Sequence, residues 1–206
     1  MNPRSDQTEA EDMSVNRDVI TTTVQTTLAE LVRSDIAAWG DLWAGDKRRP
    51  GGDYGLAYGL WLFYSFCGFR AGLLYRLSHA AHQRGLHVLP QLLAQLNIML
   101  HGIDIPASVP IGPRLYIPHP VGTTVMAQRI GSDLTLVSGI TIGMRNELAF
   151  PTIGDNVFIG AGARVLGGIT VGSNVKIGAN AVVLRDVPEH SVALGVPAVI
   201  RSSLAD

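Results

Sequence analysis

Six histidines and one cysteine are the residues of this chain best suited to acid–base, nucleophilic or metal chemistry, and most of them stand without company. His79 and His82 lie three apart on a predicted helix, a spacing that can clamp a metal ion, but no third ligand accompanies them. They read as surface and packing residues, and no metal is expected. Cys67 is flanked by Phe66, Gly68 and Phe69 and reads as a core residue rather than a nucleophile. A single cysteine also excludes a disulfide framework and a cysteine-based zinc site. His87, His101 and His190 have no constellation around them. His119 is different, because it falls where a regular pattern in the second half of the chain is interrupted. Arg145 and Glu147 fall in a second interruption of the same pattern.

The elements that must position these residues divide near residue 102. The chain has 206 residues, 47% of them apolar and 16% charged, which is ample apolar surface to fold. A formal net charge of -1 provides no field for nucleic acid, and none is expected as a partner. Residues 1–18 carry seven charged side chains and no apolar run, so no secretory signal is expected and the expected location is cytoplasmic. Before residue 102 the pattern is helical. Leu28, Leu31, Val32, Asp35, Ile36 and Trp39 recur at three- and four-residue spacing. Lys47–Gly52 reads as a loop, Leu56 to Arg84 as a second helix stopped by Gly85, and Leu86 to Leu100 as a third that starts at Pro90. The stretch Leu56–Phe69 carries no charge, but it falls short of the roughly 20 residues a spanning helix needs. It reads as a buried or interface helix, and membrane contact is not expected.

After residue 102 the helical period gives way to a period of six. Ile153, Ile159, Val165, Val171, Ile177 and Val183 are six apart, and Gly154, Gly160, Gly172 and Gly178 follow four of them. Shorter runs in the same beat are Ile105, Ile111, Ile117 and Ile130, Leu136, Ile142. Such a repeat signals a parallel β-helix in which three hexads, about 18 residues, make one triangular coil. Each coil buries its aliphatic residues against its neighbours, and stability is roughly a sum over coils. Glycine serves the corners, where a side chain would clash or φ must be positive. The gaps from Ile117 to Ile130 and from Ile142 to Ile153 are not multiples of six, so an irregular loop must leave the scaffold in each. Loops on a rigid scaffold are where chemistry concentrates.

Several segments together resemble the bacterial serine acetyltransferases, a family of hexapeptide-repeat acyltransferases. Phe66–His79 (FCGFRAGLLYRLSH) is similar to the helix that precedes their β-helix. Gly102-Ile103-Asp104-Ile105-Pro106 resembles their GIDIHP entry to the coil, and Pro118-His119-Pro120-Val121-Gly122 resembles their DHATG loop. Ile159–Gly167 (IGAGARVLG) and Gly195-Val196-Pro197-Ala198 resemble the cofactor-binding coil and closing turn. The resemblance covers roughly residues 50–200. It implies an α+β chain, an N-terminal α-helical region followed by a left-handed parallel β-helix of hexapeptide repeats. The expected division is a disordered tail over 1–20, helices over 21–101, the acyltransferase β-helix over 102–200 and a short tail over 201–206.

The resemblance implies an O-acetyltransferase that uses acetyl-CoA as cosubstrate. It casts His119 as the general base and Asp104 as the carboxylate that orients it. It places acetyl-CoA against backbone groups at Gly143, Ala161 and Ala179, with Lys176 and Arg201 as cations for its phosphates. It implies a homotrimer, with sites between subunits and the helical segment able to pair trimers. The family's acceptor clamp is not kept. Pro118 stands where an aspartate is expected, and Ala149-Phe150 stands where an Arg-His pair precedes a proline. Asp53, Arg145 and Glu147 are the available substitutes, with Phe150 in the same loop. A changed acceptor follows as the expectation: a hydroxyl-bearing sugar, polysaccharide unit or biosynthetic intermediate, with free serine as the alternative and a non-catalytic scaffold as the rival class. The chain ends at Asp206 without the family's longer tail, so cysteine synthase is not expected as a partner.

Overall fold

The computed structural model describes residues 26–43 and 54–202, and all structural statements below refer to them. Asp53, Lys47–Gly52, the tail over 1–20 and the last four residues lie outside the described residues.

Four helices precede the strands. Helix α1 (Leu28–Trp43) opens on a capping box, with the Thr27 N–H donating to Glu30 and the Glu30 N–H donating to the Thr27 hydroxyl. Helices α2 (Leu56–Ser65) and α3 (Cys67–Gln83) replace the single helix expected from Leu56 to Arg84. The break is Phe66, which is extended at φ −126°, ψ 118°. It lets Gly68 lie directly against the Ile117 carbonyl, where any Cβ would collide with backbone. Phe66 itself packs among Trp39 and Trp61. Gly85 does end α3: its φ is +74°, its N–H donates to His82, and the Leu86 N–H donates to Ala81, the bonds of a Schellman stop. Helix α4 (Val88–His101) begins two residues before Pro90, which sits harmlessly in the first turn.

The rest is a left-handed parallel β-helix with three faces. One face stacks β1 (Ile103–Asp104), β2 (Thr123–Val125), β5 (Thr141–Gly143), β8 (Arg164–Leu166) and β11 (Val182–Val183). The second stacks β3 (Arg129–Ile130), β6 (Thr152–Ile153) and β9 (Thr170–Val171), extended by bridges at Ile111 and Val187. The third stacks β4 (Thr135–Leu136), β7 (Phe158–Ile159), β10 (Lys176–Ile177) and β12 (Ser191–Leu194), to which β13 (Val199–Ser202) adds antiparallel. The six-residue aliphatic beat fills the prism: Ile105, Ile111, Ile117, Ile130, Leu136, Ile142 and the run from Ile153 to Val183 are all buried. The first interruption is an eight-residue step from Ile117 to buried Val125 and then a five-residue step to Ile130. The second is one hexad lengthened by five residues.

The repeat glycines sit where coils touch rather than where φ is positive. A Cβ on Gly131 would come within 2.7 Å of the Gly154 carbonyl in the next coil. Many left-handed corner positions are taken instead by Asp133, Asn156, Asn174 and Asn180, whose short polar side chains tolerate that conformation.

The helices close the open end of the prism chemically as well as sterically. The first coil has backbone groups with no coil beneath them, and helix side chains supply the missing partners. From α3, Tyr75 donates to Val109 O, Arg76 to Ile111 O and Gly112 O, and His79 Nδ1 lies 2.7 Å from Ala107 O. From α1, Asp35 accepts from the Leu115 N–H and Ser34 from the Arg114 N–H. Asp35 also pairs with the fully buried Arg76 through two hydrogen bonds of 2.9 and 3.0 Å. The residue counted into the apolar stripe of α1 is thus half of a buried ion pair.

Candidate active site

The chain must pass from the third face to the first between Tyr116 and Thr123, and it does so through two prolines. Pro120 is buried, and the Thr123 N–H closes a turn onto its carbonyl with Gly122 at φ +73°. The Gly122 N–H donates to Gly102 O at 2.9 Å, tying the loop to the left-handed residue that ends α4. Gly68 of α3 backs the Ile117–Pro118 peptide from the other side. The loop is therefore held by two helices and one coil, and His119, Val121 and Gly122 are its exposed residues. Asp104, half-buried on β1, pairs in register with Thr124, just beyond the loop. Among the described residues neither the His119 nor the Asp104 side chain makes a hydrogen bond. In unliganded enzymes such bonds are often long and tighten only in the Michaelis complex.

The loop stands at the end of one column of corners. Gly139 lies against Gly122, the Gly162 N–H donates to Ser138 O, and the Asn180 N–H donates to Ala161 O. All four corners turn through a left-handed residue: Gly122, Gly139, Gly162 and Asn180. Ala161 and Ala179 thus lie on one edge of the prism with His119, at successive coil spacings of about 4.8 Å. Arg164 braces this edge by donating from one nitrogen to the carbonyls of Gly139, Gly162 and Ala163. Sequence reasoning passed over Arg164, because an arginine at an outward hexad position carries no signal of its own.

Lys176 and Arg201 occupy one row of the third face. Lys176 pairs with Val192 and Val192 with Arg201, so the two exposed cations flank a single strand. Gly143 does not share the edge of Ala161 and Ala179. It ends β5 at the next corner, where its carbonyl accepts from the Gly167 N–H.

The second loop leaves the prism there. Arg145 and Glu147 are exposed in it, and Phe150 is half-buried. Arg145, Asn146, Glu147 and Ala149 rim a hollow of about 250 Å³ floored by Leu166–Ile169 and Leu184. Within one chain this loop and His119 belong to different corners. Of the remaining histidines, His79 and His101 serve the scaffold. His79 is engaged by Ala107 and by Gln83, and its burial pushes its pKa down. His101 bonds Asn97, and burial aided by the charge of Arg70 lowers its pKa too. Cys67, expected in the core, is exposed at the start of α3 because the break at Phe66 turns it outward.

A family model described as bacterial transferase hexapeptide (six repeats) matches residues 150–185. The serine acetyltransferase of Mycobacterium tuberculosis is 37% identical over 165 residues, which span 78% of this chain and 70% of that protein. That of Helicobacter pylori strain J99 is 43% identical over 135 residues, 64% of this chain and 79% of that protein. The crystal structure of the Neisseria gonorrhoeae serine acetyltransferase superposes with a TM-score of 0.75 at 32% identity, covering 88% of this chain and 69% of that one. These similarities correct the expectation of a sugar, polysaccharide unit or biosynthetic intermediate as acceptor. That expectation rested on three absent clamp residues, and the second loop still carries ionic groups of both signs in Arg145 and Glu147.

Proposed function

The chain belongs to the serine acetyltransferase family of hexapeptide-repeat transferases and is an O-acetyltransferase, and on that premise we propose that its acceptor is L-serine, with acetyl-CoA as donor. The observation that carries the reading is the shared edge of His119, Ala161 and Ala179. A long, thin thioester laid along that edge meets backbone amides over several coils and ends at an imidazole.

The chemistry follows from the weakness of an alcohol as a nucleophile. His119 takes the serine hydroxyl proton as the oxygen attacks the thioester carbonyl carbon. The tetrahedral intermediate collapses, the carbon–sulfur bond breaks, and the CoA thiolate recovers the proton from the imidazolium. O-acetylserine and free CoA leave. Asp104 fixes the ring tautomer and stabilises the imidazolium. Lys176 and Arg201 neutralise CoA phosphates, and Gly143 contributes a close backbone approach. Asp53, Arg145 and Glu147 read the charged ends of serine, with Phe150 closing the apolar side. We propose a homotrimer in which the second loop of one subunit faces the His119 edge of the next.

Thiol release from acetyl-CoA with L-serine tests this directly. His119→Ala is expected to lower kcat by about 10²–10⁴-fold, and Asp104→Asn to lower it less, with folding unchanged. Robust turnover by His119→Ala would remove the assignment. Turnover of another hydroxyl compound in preference to serine would remove the acceptor.

A further inference from the structure

The corners along the His119 edge are tied by a repeated pair of backbone bonds, and both bonds are missing at one corner. Within a corner, the residue after the left-handed one donates back three positions: Thr123 to Pro120 O at 3.1 Å, Ala163 to Gly160 O and Ala181 to Gly178 O at 3.2 Å. Between corners, the left-handed residue donates to the chain below: Gly122 to Gly102 O at 2.9 Å, Gly162 to Ser138 O and Asn180 to Ala161 O at 2.8 Å. At Gly139 neither bond forms. The Ile140 N–H donates instead to the hydroxyl of buried Thr123 at 3.4 Å. The Gly139 N–H donates to nothing among the described residues, and Val121 O beneath it accepts nothing. An unpaired backbone N–H in a built fold calls for a reason. Two side chains hold this corner. Thr123 takes the N–H of the Gly139–Ile140 peptide, and Arg164 donates to its carbonyl. Thr123 stands six residues after Ile117, where the repeat calls for an aliphatic side chain. His119 directly precedes Pro120, which opens the turn just below the gap. The free N–H thus lies about one coil spacing, about 4.8 Å, from the turn that carries the base.

We propose that the Gly139 N–H is the donor that meets the negative charge developing on the thioester oxygen, with Thr123 and Arg164 as the positioning residues that keep it free. This rests on the chain being an O-acetyltransferase with His119 as its base. As the acceptor oxygen attacks the carbonyl carbon and His119 takes its proton, the carbonyl π electrons move onto oxygen. That oxyanion accepts the Gly139 hydrogen bond. When the carbon–sulfur bond breaks, the oxygen regains its double bond, and the amide keeps its proton throughout. The same peptide is polarised from its other end, because Ser138 O accepts from the Gly162 N–H at 2.8 Å. The half-buried Arg164 charge beside the corner acts in the same direction. A fixed donor aimed where charge develops contributes about 10²–10³-fold in rate.

Thr123→Val tests the proposal in the full-length protein, since it removes the hydroxyl and keeps the shape. The Ile140 N–H is then expected to return to Val137 O, and Gly139 to close onto Val121 O. kcat should fall about 10²-fold while both KM values stay within about twofold, and Thr123→Ser, which keeps the hydroxyl, should restore kcat. Arg164→Met and Arg164→Lys form a second pair that serves even where Thr123→Val fails to fold. A lysine ammonium can serve the same carbonyls from one nitrogen, so Arg164→Lys should retain the rate that Arg164→Met loses. Dithioacetyl-CoA, with sulfur in place of the carbonyl oxygen, separates the donor from general loosening. Sulfur accepts hydrogen bonds weakly, so the wild-type preference for acetyl-CoA over this analogue should shrink about tenfold in Thr123→Val and Arg164→Met. Unchanged kcat in those two variants, equal losses in Thr123→Ser and Thr123→Val, or a fixed preference while kcat falls would each overturn the proposal. The rates are read on whichever hydroxyl compound the wild-type protein acetylates, so rejection of L-serine would count against that acceptor alone.

Discussion

A single methyl group separates two roles for glycine in this fold. At Gly131 a Cβ would strike the Gly154 carbonyl carbon and oxygen at 2.8 and 2.7 Å, and neither can move without shifting a coil. At Gly143 a Cβ would meet nothing within 4 Å, and φ is not in the left-handed region. Gly131→Ala is therefore expected to destabilise by about 1–3 kcal/mol, read as a lowered urea midpoint, with the KM for acetyl-CoA unchanged in the folded fraction. Gly143→Ala should leave the midpoint alone and raise the KM for acetyl-CoA, because the thioester arm would lose its close approach. A wild-type KM there would take Gly143 out of the cofactor site. The position of the first loop was legible in the sequence, because a thirteen-residue gap in a six-residue beat has to leave the prism somewhere. The bracing by Arg164 was not, since its reach to the Gly139 carbonyl joins residues of two coils brought together only by stacking. The acceptor was misread for a related reason: an absent clamp residue is visible in a sequence, while the placement of available substitutes such as Arg145 and Glu147 against an acceptor is not.

The helical cap is the element on which the first coil depends. Arg76 is fully buried and satisfies two coil carbonyls and both oxygens of Asp35. Arg76→Met leaves the Asp35 carboxylate buried without its cation, for an expected loss of about 3–5 kcal/mol in urea unfolding. A loss near zero would mean that the cap and the prism are not one cooperative unit. The same cap makes stability depend on pH. Burial lowers the pKa of His79 from its ordinary 6.5, so the unfolded chain binds a proton that the folded chain refuses. Stability is then greatest above that value and falls as the pH drops through 6.5 towards the depressed folded value, since the unfolded state gains protons first. His79→Gln should flatten this slope in urea midpoints measured across about one unit below neutrality. The prism was readable because every hexad repeats one local rule. The cap was not, because its polar residues sit at helical spacing and look like any amphipathic face. Asp35 lies in the stripe of α1, and only the facing coil edge turns it into a buried acceptor. The break at Phe66 likewise answers to the Ile117 carbonyl, fifty residues away in the chain.

At the scale of the whole molecule, the two candidate loops of one chain occupy different corners, and the proposed trimer is what unites them. His119 belongs to the edge between the third and first faces, and Arg145 to the loop that leaves the prism after β5. A triangular prism with three-fold symmetry can set one subunit's first edge against the next subunit's second, and each site is then built from two chains. The consequence is measurable without a structure of the assembly. His119→Ala and Arg145→Ala are each expected to cripple every site in a homogeneous trimer, the first through loss of the base and the second through loss of a charge that reads the serine carboxylate. When the two variants are unfolded together and refolded in equal amounts, subunits mix at random. A site is intact only where an Arg145→Ala subunit supplies His119 and its neighbour, a His119→Ala subunit, supplies Arg145. That arrangement arises at about one interface in four, so about a quarter of wild-type activity should return from two inactive proteins. If both residues served the same site from one chain, every site would carry one lesion or the other and mixing would restore nothing. Recovered activity therefore establishes both the assembly and the pairing of the loops, while continued inactivity alongside a trimeric mass would leave the assembly standing and remove Arg145 from the partner's site.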